Sequence, residues 1–198
     1  MENIPNRMPV SSFRSNLKST AILIPESIAL LEALCHESSI PKNSSLLTAG
    51  SIPKHYYYVV KGLFAYYFLT DNGEKVIKKF FPENTFIASA SALLTQTPGH
   101  FSIEALEDSV VLSIPADRFK ALVAERHDIA LFYINYLEKN WIIEKEMLEI
   151  STKSDDATIR YNIFLDSYAA LLPRLKQHHI ASFLGITPTQ LSRIKPKP

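Results

Sequence analysis

The sequence predicts an α+β protein in which a β jelly roll is followed by a long helix and then by a helix-turn-helix. Three observations lead to this prediction. Short apolar runs alternate with turn signals between about residues 44 and 115, a stretch without proline or glycine follows, and two amphipathic segments flank a glycine near the end. Many short strands separated by turn residues are typical of sandwiches and jelly rolls.

Composition and charge are those of a globular protein. The chain has 198 residues, of which 46% are hydrophobic and 21% are charged, and this length is enough for one large or two small domains. The net charge is only +1, but basic residues and no acidic residues follow Asp166. Positive charge is therefore concentrated where a phosphate backbone would be attracted.

The sequence contains one cysteine, Cys35, which excludes an internal disulfide and any multi-cysteine metal or iron–sulfur site. The first residues lack the apolar segment of a secretory signal. No apolar run approaches the ~18 residues that a membrane span needs. We therefore expect a cytoplasmic protein that makes no membrane contact.

Residues 1–20 are polar and are predicted to form a loose N-terminal arm, and the jelly-roll domain is predicted over residues 21–126. Within it, Ile28, Leu31 and Leu34 have helical spacing, and the Asn72-Gly73 pair suits a β-hairpin turn. Aromatic residues are frequent on the predicted strands. We interpret them as core and cross-strand pairs, although they could also line a ligand pocket.

A long dimerisation helix is predicted over residues 127–152. Apolar residues recur in it at heptad spacing, which is typical of helices that pair with a second copy. The predicted dimer interface consists of Ile129, Tyr133, Tyr136, Asn140, Ile143, Met147 and Ile150. The alternative is a single amphipathic helix that lies on the β domain.

Residues 153–198 are predicted to form the helix-turn-helix domain. A helix with Ile159, Ile163, Phe164 and Tyr168 on one face precedes the segment "HHIASFLGITPTQLSRI". In that segment Gly185 suits the end of one helix, and Thr187 suits the N-cap of the next, with Gln190 at capping-box spacing. The side chains predicted to face the core are Ile180, Ala181, Leu184, Ile186, Leu191 and Ile194.

The outer side of the second helix is then short, polar and tipped by an arginine, which suits entry into a DNA major groove. The predicted base-reading residues are Pro188, Thr189, Ser192 and Arg193. The predicted phosphate contacts are Arg174, Lys176, His178, His179, Thr187, Gln190, Lys195 and Lys197. Double-stranded DNA is therefore the expected partner.

This order of elements, together with "IASFLGITPTQLSRI", resembles the family of the cyclic-AMP receptor protein and the fumarate–nitrate regulator (Crp/Fnr). The resemblance extends over about Ile28 to Lys195. It implies a homodimeric bacterial transcription regulator with a cyclic-nucleotide-binding-like effector domain.

The sequence departs from that family at the effector cassette, the segment that holds the nucleotide. Aligned from Phe86, the family's Gly-Glu pair becomes Ala88-Ser89, and its Arg-Ser pair becomes Gly99-His100. No cation is left for a cyclic phosphate unless His100 is protonated, and a buried phosphate without a charge partner is costly. We therefore expect a degenerate cassette, no cofactor and an effector, if there is one, other than cyclic AMP.

A second departure lies at the end, where the chain stops at "KPKP" while family members continue into a wing-like hairpin. This keeps open an alternative function, a sensing or protein-interaction module that has lost DNA binding. A jelly-roll metalloenzyme is the other alternative, but no His-x-His occurs and the histidines are scattered. We expect no enzyme activity, no catalytic residue and no metal, and RNA polymerase stays open as a partner.

Overall fold

The computed structural model describes residues 8–20, 23–143, 146 and 156–195. The chain divides into two compact units. The first unit takes in residues 1–66 and 80–136, and the second takes in 67–79 and 137–198. This division differs from the predicted boundaries at 126 and 152, because a long helical segment is shared between the units and a hairpin of the jelly roll belongs to the second.

The elements alternate in the predicted order. The helices are α1 (Met8–Thr20), α2 (Pro25–Ala33), α3 (Ala90–Thr95), α4 (Ala116–Glu125), α5 (His127–Leu137), α6 (Ala157–Tyr168), α7 (Gln177–Leu184) and α8 (Pro188–Ile194). A π-helical segment, Glu138–Ile143, follows α5, and a 3₁₀ helix, Ala169–Arg174, follows α6. The strands are β1 (His36–Ile40), β2 (Ser45–Leu47), β3 (His55–Lys61), β4 (Phe64–Leu69), β5 (Lys75–Phe81), β6 (Phe86–Ile87), β7 (Ser102–Ala105) and β8 (Ser109–Pro115).

The strands form two four-stranded sheets, in the orders β1-β8-β3-β6 and β2-β7-β4-β5. Strand β8 pairs antiparallel with β1 and with β3, and β2 pairs antiparallel with β7. Buried side chains from both sheets meet in one core, among them Val59, Phe64 and Ile103. The predicted jelly-roll-like fold is confirmed.

Two glycines make the tight turns of the sheets possible. Gly73, at φ 79°, lies in the β4–β5 turn, where Thr70 N–H donates to Glu74 O over 3.0 Å, so the predicted Asn72-Gly73 hairpin is confirmed. Gly62 has φ 109°, and a Cβ there would lie 2.0 Å from Ser109 Oγ. The β3–β4 turn therefore tolerates no side chain.

The N-terminal segment differs from the predicted loose arm over residues 8–20, which form a packed helix. Phe13 and Leu17 of α1 are 1% and 0% exposed. The Phe13 ring meets Tyr58 edge-on at 5.0 Å, and Arg14 forms an ion pair with Glu32 of α2. Two large apolar side chains one turn apart are enough to dock this polar helix, because each buries its full surface.

The predicted dimer interface is corrected in its first half. Ile129 is 0% exposed and belongs to the core of the first unit, so it is not available to a partner. Tyr133 contacts Tyr56 through their hydroxyls, 3.1 Å apart, and Tyr136 packs on Phe86. This part of the helix lies on the β domain, as in the alternative, because its aromatic residues find ring partners there.

The other side of α5 is apolar and exposed. Leu131 and Ile134 are 46% and 48% exposed. Residues three apart lie on the same side of a helix. The face of α5 that is open to a partner is therefore carried by Leu131 and Ile134 rather than by the predicted residues.

Heptad spacing does not continue beyond α5, because Glu138–Ile143 is π-helical. A π-helical turn contains more residues than an α-helical turn. Residues after it therefore no longer lie on the helix face that the earlier heptad positions predict. Ile143 is 59% exposed, and Asn140 O accepts a hydrogen bond from Lys79 Nζ over 3.4 Å. Two other predicted interface residues, Met147 and Ile150, lie outside the described residues.

In the second unit, helix α6 begins at the N-cap Asp156, whose carboxylate accepts from Thr158 N–H over 2.8 Å. Its buried residues are Tyr161 and Phe164. The predicted apolar face is corrected, since Ile159 and Ile163 are 47% and 42% exposed. Ring contacts of Phe164 with Tyr168 and Phe183 select the buried side instead.

Replacing Phe13 by alanine tests whether α1 is part of the core. The loss of a fully buried ring should lower the free energy of unfolding by about 3 kcal/mol or more. The measurement is urea denaturation followed by circular dichroism. Leu94→Ala is the control, because Leu94 is 60% exposed and should change stability by less than about 0.5 kcal/mol. Equal effects of the two substitutions would contradict a docked helix.

Candidate nucleic-acid interface

Helices α7 and α8 form a tight hairpin around Gly185. Gly185 has φ 66° and lies at the left-handed end of α7, and Ile186 N–H donates to Ala181 O over 3.0 Å. No neighbouring atom lies within 4 Å of where a Cβ at Gly185 would stand. Backbone conformation rather than space thus explains the glycine, as the sequence predicts.

The start of α8 is fixed by the predicted capping box. Gln190 N–H donates to Thr187 Oγ1 over 3.2 Å, and Thr187 N–H donates to Gln190 Oε1 over 2.9 Å. Pro188 occupies the first turn, where its missing N–H has no helical partner to lose. The side-chain oxygens of Thr187 and Gln190 thus hold the helix start.

The hairpin has a buried inner side and a polar outer side. Ile180, Ala181, Leu184 and Leu191 are at most 5% exposed, as predicted, whereas Ile186 and Ile194 are only half-buried. The exposed residues of α8 include the predicted base-reading residues Pro188, Thr189, Ser192 and Arg193. These four residues lie along the exposed side of α8, and the helix packs through its opposite side.

The Arg193 guanidinium has no ion-pair or hydrogen-bond partner among the described residues. Its donors are therefore available to an external acceptor. A guanidinium presents donors in a planar fork that matches guanine O6 and N7 or a phosphate.

The predicted phosphate-contacting residues flank α7 and α8. Lys176 and His178 are exposed, while Arg174, His179 and Lys195 are half-buried. His179 Nδ1 accepts from Lys176 N–H over 3.3 Å, and the rings of His178 and His179 lie 4.2 Å apart. Lys197 lies outside the described residues.

Sequence reasoning missed a contact between α7 and the β4–β5 hairpin, both in the second unit. Ser182 Oγ donates to Lys75 O over 2.5 Å and accepts from Ile77 N–H over 3.0 Å. Strand β5 is at the edge of its sheet, and edge strands present unpaired backbone groups. One hydroxyl thus satisfies a donor and an acceptor of this edge. A lone serine in a helix gives no sequence signal for such a contact.

Residues of the effector cassette pack against neighbouring side chains of the first unit. Ala88 and Ser89 are 5% and 1% exposed. The Tyr66 hydroxyl lies 3.3 Å from Ser89 Oγ, and the Tyr66 ring lies 4.6 Å from that of Phe101. Burial raises the pKa of the Tyr66 phenol, which keeps it neutral.

The second half of the cassette closes against the first. A Cβ at Gly99 would lie 3.2 Å from Ala92 Cβ and 3.3 Å from Ser89 Oγ. His100 is exposed, and Phe86 packs on Tyr136. None of the cassette residues is an arginine or a lysine, so they do not fit a cyclic phosphate. Tyr66 is one of the strand aromatics for which the sequence left both a core role and a pocket-lining role open.

Metal and membrane sites receive no support from the part of the chain that the structure describes. Its histidine, cysteine and acidic side chains form no cluster that could hold a metal ion. Within the same residues no helix combines the length and apolarity of a bilayer span.

Comparisons with known proteins agree with this architecture. Residues 37–126 match the family model of the cyclic nucleotide-binding domain. FixK2 from Bradyrhizobium japonicum is 18% identical with a TM-score of 0.68, and the match covers 81% of this chain and 82% of FixK2. The c-di-GMP-responsive global regulator CLP from Xanthomonas campestris is 14% identical with a TM-score of 0.68, covering 86% of this chain and 89% of CLP.

A Crp/Fnr-family protein from Eubacterium rectale is 16% identical with a TM-score of 0.67, and the match covers 87% of this chain and 82% of that protein. Residues 37–126 are thus a domain of the cyclic nucleotide-binding class. The chain has the fold of the Crp/Fnr-type regulators, which confirms the resemblance seen in the sequence. These matches are to regulators rather than to enzymes.

Proposed function

We propose that this protein is a sequence-specific DNA-binding transcription regulator of the Crp/Fnr type. The observation that carries the proposal is the exposed polar side of α8, with the Arg193 guanidinium available, on a hairpin whose opposite side is buried. In this proposal α7 and α8 are a helix-turn-helix, and α8 enters the major groove.

The residues of the hairpin divide into two roles. Arg193 and Thr189, with Ser192 and Pro188 beside them, contact base edges, which gives sequence preference. Lys176, His178 and Lys195 are placed on the flanks and contact phosphates, which fix register without reading sequence. Two of the remaining predicted phosphate contacts, Thr187 and Gln190, already use side-chain oxygens in the capping box.

The proposed active form is a homodimer. Leu131 and Ile134 leave an apolar strip on α5 that the described residues leave exposed. Two copies pairing through this strip would bury it, and a symmetric pair of hairpins would match a near-palindromic DNA site. Exposed apolar side chains on one helix face favour a second copy as the occupant.

The effector domain is proposed to work without a cyclic nucleotide. Tyr66 and Phe101 occupy the cassette, and Ser89 stands where the family has a glutamate. A nucleotide would have to disturb the contact between buried Tyr66 and half-buried Phe101 and would find no arginine or lysine in the cassette for its phosphate.

A protein-interaction module without DNA binding is the second candidate. Ile159 and Ile163 on α6 favour it, because they expose an apolar pair four residues apart in the second unit. Failure to bind DNA under the conditions given next would select this candidate.

Replacing Arg193 by alanine tests base reading. Binding sites are first selected from a random duplex pool, and affinities are then measured across a salt series. The variant should lose about 1–3 kcal/mol of DNA-binding free energy and accept other bases at one position per half-site. Arg118→Ala is the control, since Arg118 is exposed on α4 and outside the hairpin. A uniform loss on all sequences would assign Arg193 to the backbone, and no preference over random DNA would refute the regulator.

Replacing Leu131 by aspartate tests the dimer. A charge in the centre of an apolar interface should shift the wild-type dimer to monomer, because its burial is costly. Light scattering during size-exclusion chromatography measures the mass. Leu94→Asp is the matched control on a different exposed leucine. A monomeric wild type, or a Leu131 variant that still dimerises, would contradict the proposed interface.

Cyclic AMP should not bind this chain, since the cassette is filled and uncharged. Calorimetry at millimolar nucleotide is expected to show no saturable heat, and the melting temperature should not rise. Cyclic GMP serves as a second ligand. Saturable binding of either nucleotide would show that Tyr66 and Phe101 move aside.

A further inference from the structure

We propose that a cavity outside the effector cassette binds a small organic anion that carries a phosphate or a carboxylate. The cavity has a volume of about 410 Å³ and lies in the first unit, between the start of β3 and the junction of β8 with α4. It shares no residue with Phe86, Ala88, Ser89, Gly99 or His100 of the cassette. This inference does not depend on DNA binding.

The polar lining is predominantly cationic. Lys54 and Lys120 supply two ammonium groups, and Asp117 supplies one carboxylate. His55 and Gln96 add an imidazole and an amide that can form hydrogen bonds. Neither lysine forms an ion pair with any residue that the structure describes. Asp117 therefore does not neutralise them directly, and an external anion can supply the missing charge.

Two contacts fix the positions of these groups. Lys120 Nζ and Gln96 Nε2 both donate to Leu93 O, over 3.3 and 2.7 Å. Both donor side chains are thus held at the same side of the cavity. A carbonyl oxygen carries no full charge, so this hydrogen bond does not neutralise the Lys120 ammonium group.

A backbone hydrogen bond and two prolines hold two walls of the cavity in place. Ala116 N–H donates to Lys54 O over 2.9 Å, which joins the two sides of the cavity. Pro53 and Pro115 lie on these sides and fix their own φ angles. A site that is largely formed before binding loses less entropy when a ligand enters.

Size and lining define the ligand class. Pockets for small molecules have volumes of roughly 300–1,000 Å³, and this cavity falls within that range. Pro53, Pro115 and Ala116 present apolar surface beside the charged groups. A bare inorganic ion would leave that surface uncovered. The fitting ligand is a small organic phosphate or carboxylate, and Asp117 suits a hydroxyl donor on its body.

Nuclear magnetic resonance on the full chain tests the proposal. Glycerol 3-phosphate, succinate, inorganic phosphate and uncharged glycerol are titrated separately at constant ionic strength. We expect saturable shifts of the amides of Lys54, His55 and Asp117 with glycerol 3-phosphate or succinate, weaker shifts with inorganic phosphate and none with glycerol.

The double variant Lys54→Gln with Lys120→Gln should bind the organic anion about tenfold or more weakly. Two charge-assisted contacts are lost in it. Lys61→Gln is the control, since Lys61 is exposed at the other end of β3. The single variant Lys54→Gln should show a smaller loss and keeps the test valid if the double variant is poorly folded.

Three outcomes would overturn the proposal. They are the absence of saturable shifts with every anion, equal affinity for inorganic phosphate and the organic anions, and equal affinity of the lysine variants and the control. None of these outcomes bears on whether the protein recognises DNA, which is measured separately.

Discussion

The packing of Phe86 is the interaction on which the first unit depends. Its ring lies 5.2 Å from Tyr58, 6.0 Å from Phe13, 6.0 Å from Phe132 and 5.1 Å from Tyr136. The Phe86 backbone also donates to Tyr136 Oη over 3.2 Å. One residue at the start of the cassette thus joins α1, β3 and α5. Removing any of these partners would leave an aromatic cavity, which is costly in a close-packed core.

This packing accounts for two features of the first unit, one in α5 and one in the effector cassette. The aromatic residues of α5 are used within the chain, so its exposed apolar side is the one with Leu131 and Ile134. The cassette that begins at Phe86 is continuous with the core of the first unit, in which Tyr66 lies beside Ser89 and Phe101.

The second unit depends on the hairpin of α7 and α8, whose shape is set by a left-handed glycine and a capping box. Ser182 adds an anchor that satisfies the edge of β5, and Arg160 Nη2 donates to Leu184 O over 3.2 Å at the carboxyl end of α7. These contacts use the inner side and the ends of the helices. The outer side of α8, with Arg193, is left exposed.

The sequence by itself determined the jelly-roll-like fold, the Asn72-Gly73 turn, and the hairpin with Gly185 and Thr187, because periodicity, glycine conformation and capping act between near neighbours. It also determined that the cassette contains no arginine or lysine. Tertiary structure alone decided that residues 8–20 dock through Phe13, that Ile129 faces its own core, that Ile159 and Ile163 stay exposed, and that the Tyr66 hydroxyl lies beside Ser89 of the cassette. Each of these depends on partners far away in the chain, and local spacing shows that a helix has an apolar side without showing what that side meets.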